Sequence, residues 1–229
     1  MNFLDYLNYP YLRDTNFYFW GSDTLTNPGT SSQHNENYKF NPHHFLNYNY
    51  PIKYQFNSRG FRDSEWPTDL SNVIWCVGDS YTAGVGVPFK HTWPSILQHK
   101  ANKRCLNLGI HGASNQLLKN MCLQILKEHK PSTLVVMWSF FWRRHKDPWE
   151  LLQYTNSSEE EDYAFFIDCY NKVNTFNEEC NIINLMIPPQ HHNLKNIFQC
   201  DPIDKGRDNL HFDYKTAEVY VDHILSKLI

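Results

Sequence analysis

Two unbroken apolar runs, VIWCVG at 73–78 and TLVVMW at 133–138, constrain this chain more than any other feature. A strand with one wet face alternates polar and apolar residues, whereas a run that is apolar at every position needs cover on both faces. Such strands belong to parallel sheets, whose crossover helices lie above and below. Around the two runs, helix is predicted at about 92–101, strand at 104–108 and helix at about 115–129. After the second run come a helix at about 160–179, a strand at 182–188, a weak strand near 196–200 and a closing helix at about 213–228. This alternation predicts an α/β/α sandwich around roughly five parallel strands, flavodoxin-like in architecture.

The texture of the chain changes near residue 72. Residues 1–72 are crowded with Asn, Tyr, Phe and His and show turn chemistry without periodicity, which predicts a lobe packed on a core domain of 73–229. A length of 229 residues with 41% hydrophobic content suits one substantial core and such a lobe. A net charge of −3 with scattered Lys and Arg argues against a nucleic-acid partner. The N-terminal stretch MNFLDYLNYPYLRD has an early acid and no long apolar segment, so neither a signal peptide nor a membrane span is predicted, and a cytoplasmic location is expected. Six cysteines lack a CxxC pair and read as reduced core thiols. His43-His44 and His191-His192 have no acidic or cysteine partner at ligand spacing, so no metal is predicted, and no cofactor.

Ligands of an open parallel sheet bind outside the carboxyl ends of its strands. The first apolar run ends there on Gly78-Asp79-Ser80. A serine at that edge, leading towards a helix whose N–H groups face developing negative charge, suits a nucleophile; it also suits an ordinary cap or turn. Far along the chain, Asp208 precedes His211 by three residues, just before the last helix. A serine needs a base within hydrogen-bond reach, and that imidazole needs a carboxylate to orient it. The plain alternative makes Asp208 or Asp213 the cap of the final helix and His211 one of 12 histidines.

Taken together, these segments resemble the SGNH or GDSL hydrolase superfamily, over roughly residues 73–229. The resemblance implies an SGNH hydrolase fold with Ser80 as nucleophile, His211 as base and Asp208 as its orienting acid. The segment CLNLGIHGASN is similar to the family's second block, which implies an oxyanion hole built from the N–H groups of Ser80 and Gly112, with Asn107 beside it. HTWPSIL is similar to the family's first helix.

The third block departs from the pattern. Where the family has GxND, this chain reads VVMWSFFWRRHKD, which puts Phe141 at the asparagine position. Losing one oxyanion donor costs about 100-fold to 1000-fold in rate. Arg143 or Arg144 swung towards the site would supply a charged donor; on a plainer reading both are surface residues. Asp79, Asn107, Phe141, Arg143 and, from the loop PPQHHNLKN, Gln190 are candidate substrate contacts. Trp138, Phe140, Phe141 and Trp142 make this edge aromatic, suited to a sugar ring or an acyl chain. Upstream, YQFNSRGFRDSEWP resembles a lead-in of bacterial and phage SGNH proteins associated with cell-surface polysaccharide. Its Asn57, Arg59, Gly60 and Arg62 form a turn that either faces the pocket or packs along the sheet edge.

The expected activity is hydrolysis of carboxylic esters, first of short acyl (acetyl) esters on a carbohydrate, through a Ser-His-Asp triad. The alternatives are a non-catalytic carbohydrate-binding or viral structural protein, virion-associated in the latter case, and an O-acyltransferase.

Overall fold

The structure is a computed structural model that describes residues 16–18, 52–144, 153–154, 157–176, 179–187, 194–206 and 210–228. Two short strands, β1 (Asn16–Tyr18) and β2 (Lys53–Gln55), pair antiparallel ahead of the core. Then follow β3 (Ile74–Gly78), α1 (Ser80–Ala83), α2 (Trp93–Ala101), β4 (Cys105–Gly109), α3 (Asn115–His129) and β5 (Thr133–Trp138). The two-residue pair β6 (Arg143–Arg144) and β7 (Gln153–Tyr154) precedes α4 (Glu159–Asn174), β8 (Asn181–Met186) and α5 (Tyr214–Leu225).

β3, β4, β5 and β8 form one parallel sheet in the order β4-β3-β5-β8. Their continuous apolar runs are explained by what lies on each side. Alternate residues of a strand face opposite ways. Trp75, Val77, Leu134, Val136 and Trp138 join a core with α3 and α4, and Ile74, Cys76, Val135 and Met137 join a second core with α2 and α5. The result is the three-layer α/β/α sandwich. Burial pushes the Cys169 and Cys180 thiols up to about 11, so these two cysteines pack as small hydrophobes and not as nucleophiles.

The fifth strand expected near 196–200 is reduced to a bridge: Phe198 pairs with Leu185, its N–H donating to the Asn184 carbonyl (3.0 Å) and its carbonyl accepting from the Met186 N–H (2.9 Å). The helix expected to run to 179 stops at Asn174. There the Asn174 amide donates to the Tyr170 carbonyl (2.8 Å) and accepts from Asn184 on β8 (2.8 Å), side-chain bonds that compete with continued helix. The closing helix begins at Tyr214 with Asp213 as its cap. Among the described residues no helix is long and apolar enough to cross a membrane.

The chain leaves β3 for β4 on one side and returns to β5 on the other. In open parallel sheets such a reversal marks the carboxyl edge at which ligands bind, and Ser80 stands at that edge, just after β3. β4 ends on a glycine for a steric reason: a Cβ on Gly109 would lie 2.1 Å from the Ala83 nitrogen, inside the backbone of α1. Gly109→Ala should therefore lower stability by about 3 kcal/mol, read as a shifted urea midpoint at unchanged slope. A loss below about 0.5 kcal/mol would mean that α1 does not sit this close to β4.

Candidate active site

Ser80 is the first residue of α1, and Asp79 caps that helix by accepting the Tyr81 N–H (3.0 Å). Four residues make one turn, too short to be stable alone, so the surroundings must hold it. Asn107 donates to the Thr82 carbonyl (3.0 Å), and the Trp93 indole donates to the Thr82 hydroxyl (3.1 Å). From behind, Arg62 donates to the carbonyls of Ala83, Gly84 and Val87 while lying 3.9 Å over the Tyr54 ring. The Tyr54 hydroxyl accepts the Gly86 N–H (2.8 Å).

The upstream turn is thereby a clamp on the back of the loop that carries Ser80. Asn57 Oδ1 accepts the N–H groups of Arg59 (3.0 Å) and Phe61 (3.1 Å) across Gly60, whose φ of 82° only glycine adopts freely. Next to it, burial pushes the Asp63 carboxyl up, against the opposing pull of Arg104 at 2.8 Å and the Asn107 N–H.

His211 Nε2 lies 2.8 Å from Ser80 Oγ. Both residues are buried, at 4% and 2% exposure. The Tyr81 ring lies 4.5 Å from the imidazole, and its hydroxyl donates to the Leu210 carbonyl (3.4 Å), bracing the loop that carries the histidine. Asp208 and Gln190 lie outside the described residues, as do His43, His44, His191 and His192. Asp213, the other acid beside His211, caps α5 through the Tyr214 N–H (2.7 Å) and faces His91 at 3.4 Å.

Gly112 takes a φ of 77° in the loop after β4, and that loop is tied to the end of β3 by the Ile110 N–H donating to the Gly78 carbonyl (2.9 Å). Neither the Ser80 N–H nor the Gly112 N–H donates to any described residue.

Three of the candidate substrate contacts do other work. Asn107 spends its side chain on Thr82 and on the Gly109 N–H (2.9 Å). Asp79, fully buried, accepts from Ser139 (2.8 Å) and Arg143 (2.7 Å) in addition to capping α1. Phe141, a candidate contact from the sequence, packs at 5% exposure into the core against Tyr163 and Phe166. Trp138 is likewise core, its indole donating to Asn184 (2.9 Å), so the aromatic edge shrinks to the stacked pair Phe140 and Trp142. The two arginines diverge as neighbours on a strand must. Arg143 turns to Asp79, and Arg144 pairs with Asp162 of α4 (2.7 Å). Sequence reasoning missed the Tyr81 brace and the Asp79–Ser139–Arg143 cluster; the cap at Asp79 alone had a local signal, an acid just before a helix start.

No protein-family model and no curated protein matches the chain. Solved structures do. TesA matches at 14% identity over 68% of this chain and 97% of its own, with a TM-score of 0.44. AlinE4, an esterase of the SGNH-hydrolase family, matches at 16% identity over 70% of this chain and 75% of its own, with a TM-score of 0.35. A lipolytic protein of the G-D-S-L family from Desulfitobacterium hafniense DCB-2 matches at 13% identity over 68% and 71%, with a TM-score of 0.37. The chain is similar to SGNH and GDSL hydrolases. What its site can do is set by its own residues.

The site's two loops are joined by Asn115, which accepts the Ser139 N–H (2.8 Å) and donates to the carbonyls of Ser139 (3.1 Å) and Phe140 (3.2 Å). Asn115→Ala leaves buried backbone groups unpaired and should cost about 3 kcal/mol in urea denaturation. Full stability in that variant would show that the loop after β5 is held by other means.

Proposed function

We propose that this protein is a serine esterase that cleaves short acyl esters on a carbohydrate. The observation that carries the proposal is the 2.8 Å approach of His211 Nε2 to Ser80 Oγ, made at the carboxyl edge of a parallel sheet by residues 131 positions apart. A buried hydroxyl and imidazole in this relation form the activated pair of acyl-transfer chemistry.

In the proposed mechanism, Ser80 Oγ attacks the ester carbonyl while its proton passes to His211 Nε2. That direction requires the neutral imidazole to carry its proton on Nδ1, towards the proposed partner Asp208. The tetrahedral oxyanion is met by the N–H groups of Ser80 and Gly112, which are not engaged with described residues. His211 then protonates the leaving alcohol, the acyl group stays on Ser80, and a water activated by the same imidazole releases the acid. A carbohydrate substrate suits the stacked Phe140 and Trp142, the latter 37% exposed, as a platform for a sugar ring.

Intact mass after treatment with a fluorophosphonate tests the nucleophile. One adduct is expected on the native chain and none on Ser80→Ala, whose hydrolysis of 4-nitrophenyl acetate should fall about 10,000-fold or more, with His211→Ala close behind. An unlabelled but folded native chain would refute the esterase reading and favour a binding or structural protein. Analysis of products with an acetylated oligosaccharide separates hydrolysis from transfer: free acetate supports the proposal, and acetyl moved to an acceptor sugar makes the enzyme an O-acyltransferase.

A further inference from the structure

The Asp79–Ser139–Arg143 cluster lies one residue from the proposed nucleophile, and the hydrolytic mechanism above does not use it. Asp79 is fully buried. An uncompensated carboxylate there would oppose any negative charge developing at Ser80. Arg143 Nη1 compensates it, donating to Asp79 Oδ2 (2.7 Å) and to Ser139 Oγ (2.9 Å). The rings of Phe140 and Trp142 lie 4.7 and 5.5 Å from the guanidinium carbon and shield it from water.

Among the described residues, the side-chain hydrogen bonds of Arg143 leave from Nη1. Nε is buried without a partner, and Nη2 donates to no described residue. In a guanidinium, Nε–H and one Nη–H point the same way and form a two-donor edge. An arginine held at one nitrogen, with its remaining donors unspent on described residues and one of them buried, is a preorganised donor for an acceptor oxygen. Because Asp79 already balances its charge, it offers directed hydrogen bonds more than attraction for a net anion.

The geometry points to Arg143 as a further oxyanion donor: the part of its guanidinium not bound to Asp79 donates to the carbonyl oxygen of the ester as Ser80 attacks. Asp79 and Ser139 are positioning residues that aim it. This inference rests on the esterase reading. It gives the site a charged donor at the loop after β5, where Phe141 has turned into the core.

The test is turnover and fluorophosphonate labelling of Arg143→Lys, Arg143→Gln and Arg143→Ala, each checked for folding by urea denaturation. Two substrates are compared, neutral 4-nitrophenyl acetate and the anionic 4-nitrophenyl hemisuccinate. For Arg143→Gln, kcat should fall about 100-fold or more on both esters with KM within about threefold, and labelling of Ser80 should slow in step. Arg143→Lys keeps the charge beside Asp79 and should stay folded, yet a single ammonium cannot both hold Asp79 and donate onwards, so its kcat should also fall at least about tenfold. Free guanidinium ion at millimolar concentration should restore part of the rate to Arg143→Ala, which a merely structural role would not allow. A folded Arg143→Lys or Arg143→Gln with native kcat would overturn the inference, as would a loss confined to KM for the anionic ester, which would make Arg143 an anion subsite. Should the Gln and Ala variants fail to fold, the Lys variant decides the matter. A native chain without a Ser80 adduct sinks the esterase reading and this inference with it; a labelled native chain with unimpaired Arg143 variants sinks only the latter.

Discussion

A one-turn helix cannot support itself, and the site of this protein is built on one. Helix nucleation fixes several residues for a single hydrogen bond, so α1 exists only because its neighbours hold it. Its front end is capped by Asp79, its middle is held by Asn107 and Trp93 through Thr82, and its rear carbonyls are gathered by Arg62. Gly109 has no side chain because the backbone of α1 occupies the space where a Cβ would stand. Each support comes from a different part of the chain. The position of Ser80 is thus a property of the whole sandwich and not of the residues around it.

The supports are polar and buried, which makes them directional. Arg62, Asp63 and Asp79 are each nearly inaccessible to water, and each makes several hydrogen bonds at once. A buried charge left short of partners is costly, while one fully engaged tolerates little displacement. Such groups give a loop a defined shape at small net gain in stability. The 2.8 Å approach of His211 to Ser80 depends on that defined shape.

The loop after β5 shows how the facing of its aromatic residues sets the wiring around Ser80. Phe141 packs on Tyr163 and Phe166 and anchors the loop against α4. Phe140 and Trp142 remain at the surface, with Arg143 between them and Asp79. The upstream segment, equally able on its sequence to line a pocket, instead holds the Ser80 loop from behind, because Arg62 finds three carbonyls there.

The sequence by itself determined the local elements. Apolar runs without alternation announced strands covered on both faces, and Thr92, Ser114 and Ser158 cap helices where helix starts were expected. These features depend on neighbours within a few residues, which is the range over which periodicity and caps act. Ser80 and His211 were legible as candidates because each sits at the end of an element whose type was clear. Only the tertiary structure brought them to 2.8 Å, sent Phe141 inward, parted Arg143 from Arg144 and set Asp79 between a helix cap and a guanidinium. These outcomes turn on which side of a strand or loop meets which distant surface, and one residue's change of facing reverses them. Local pattern holds no record of that choice, because it is made by packing between segments far apart in the chain.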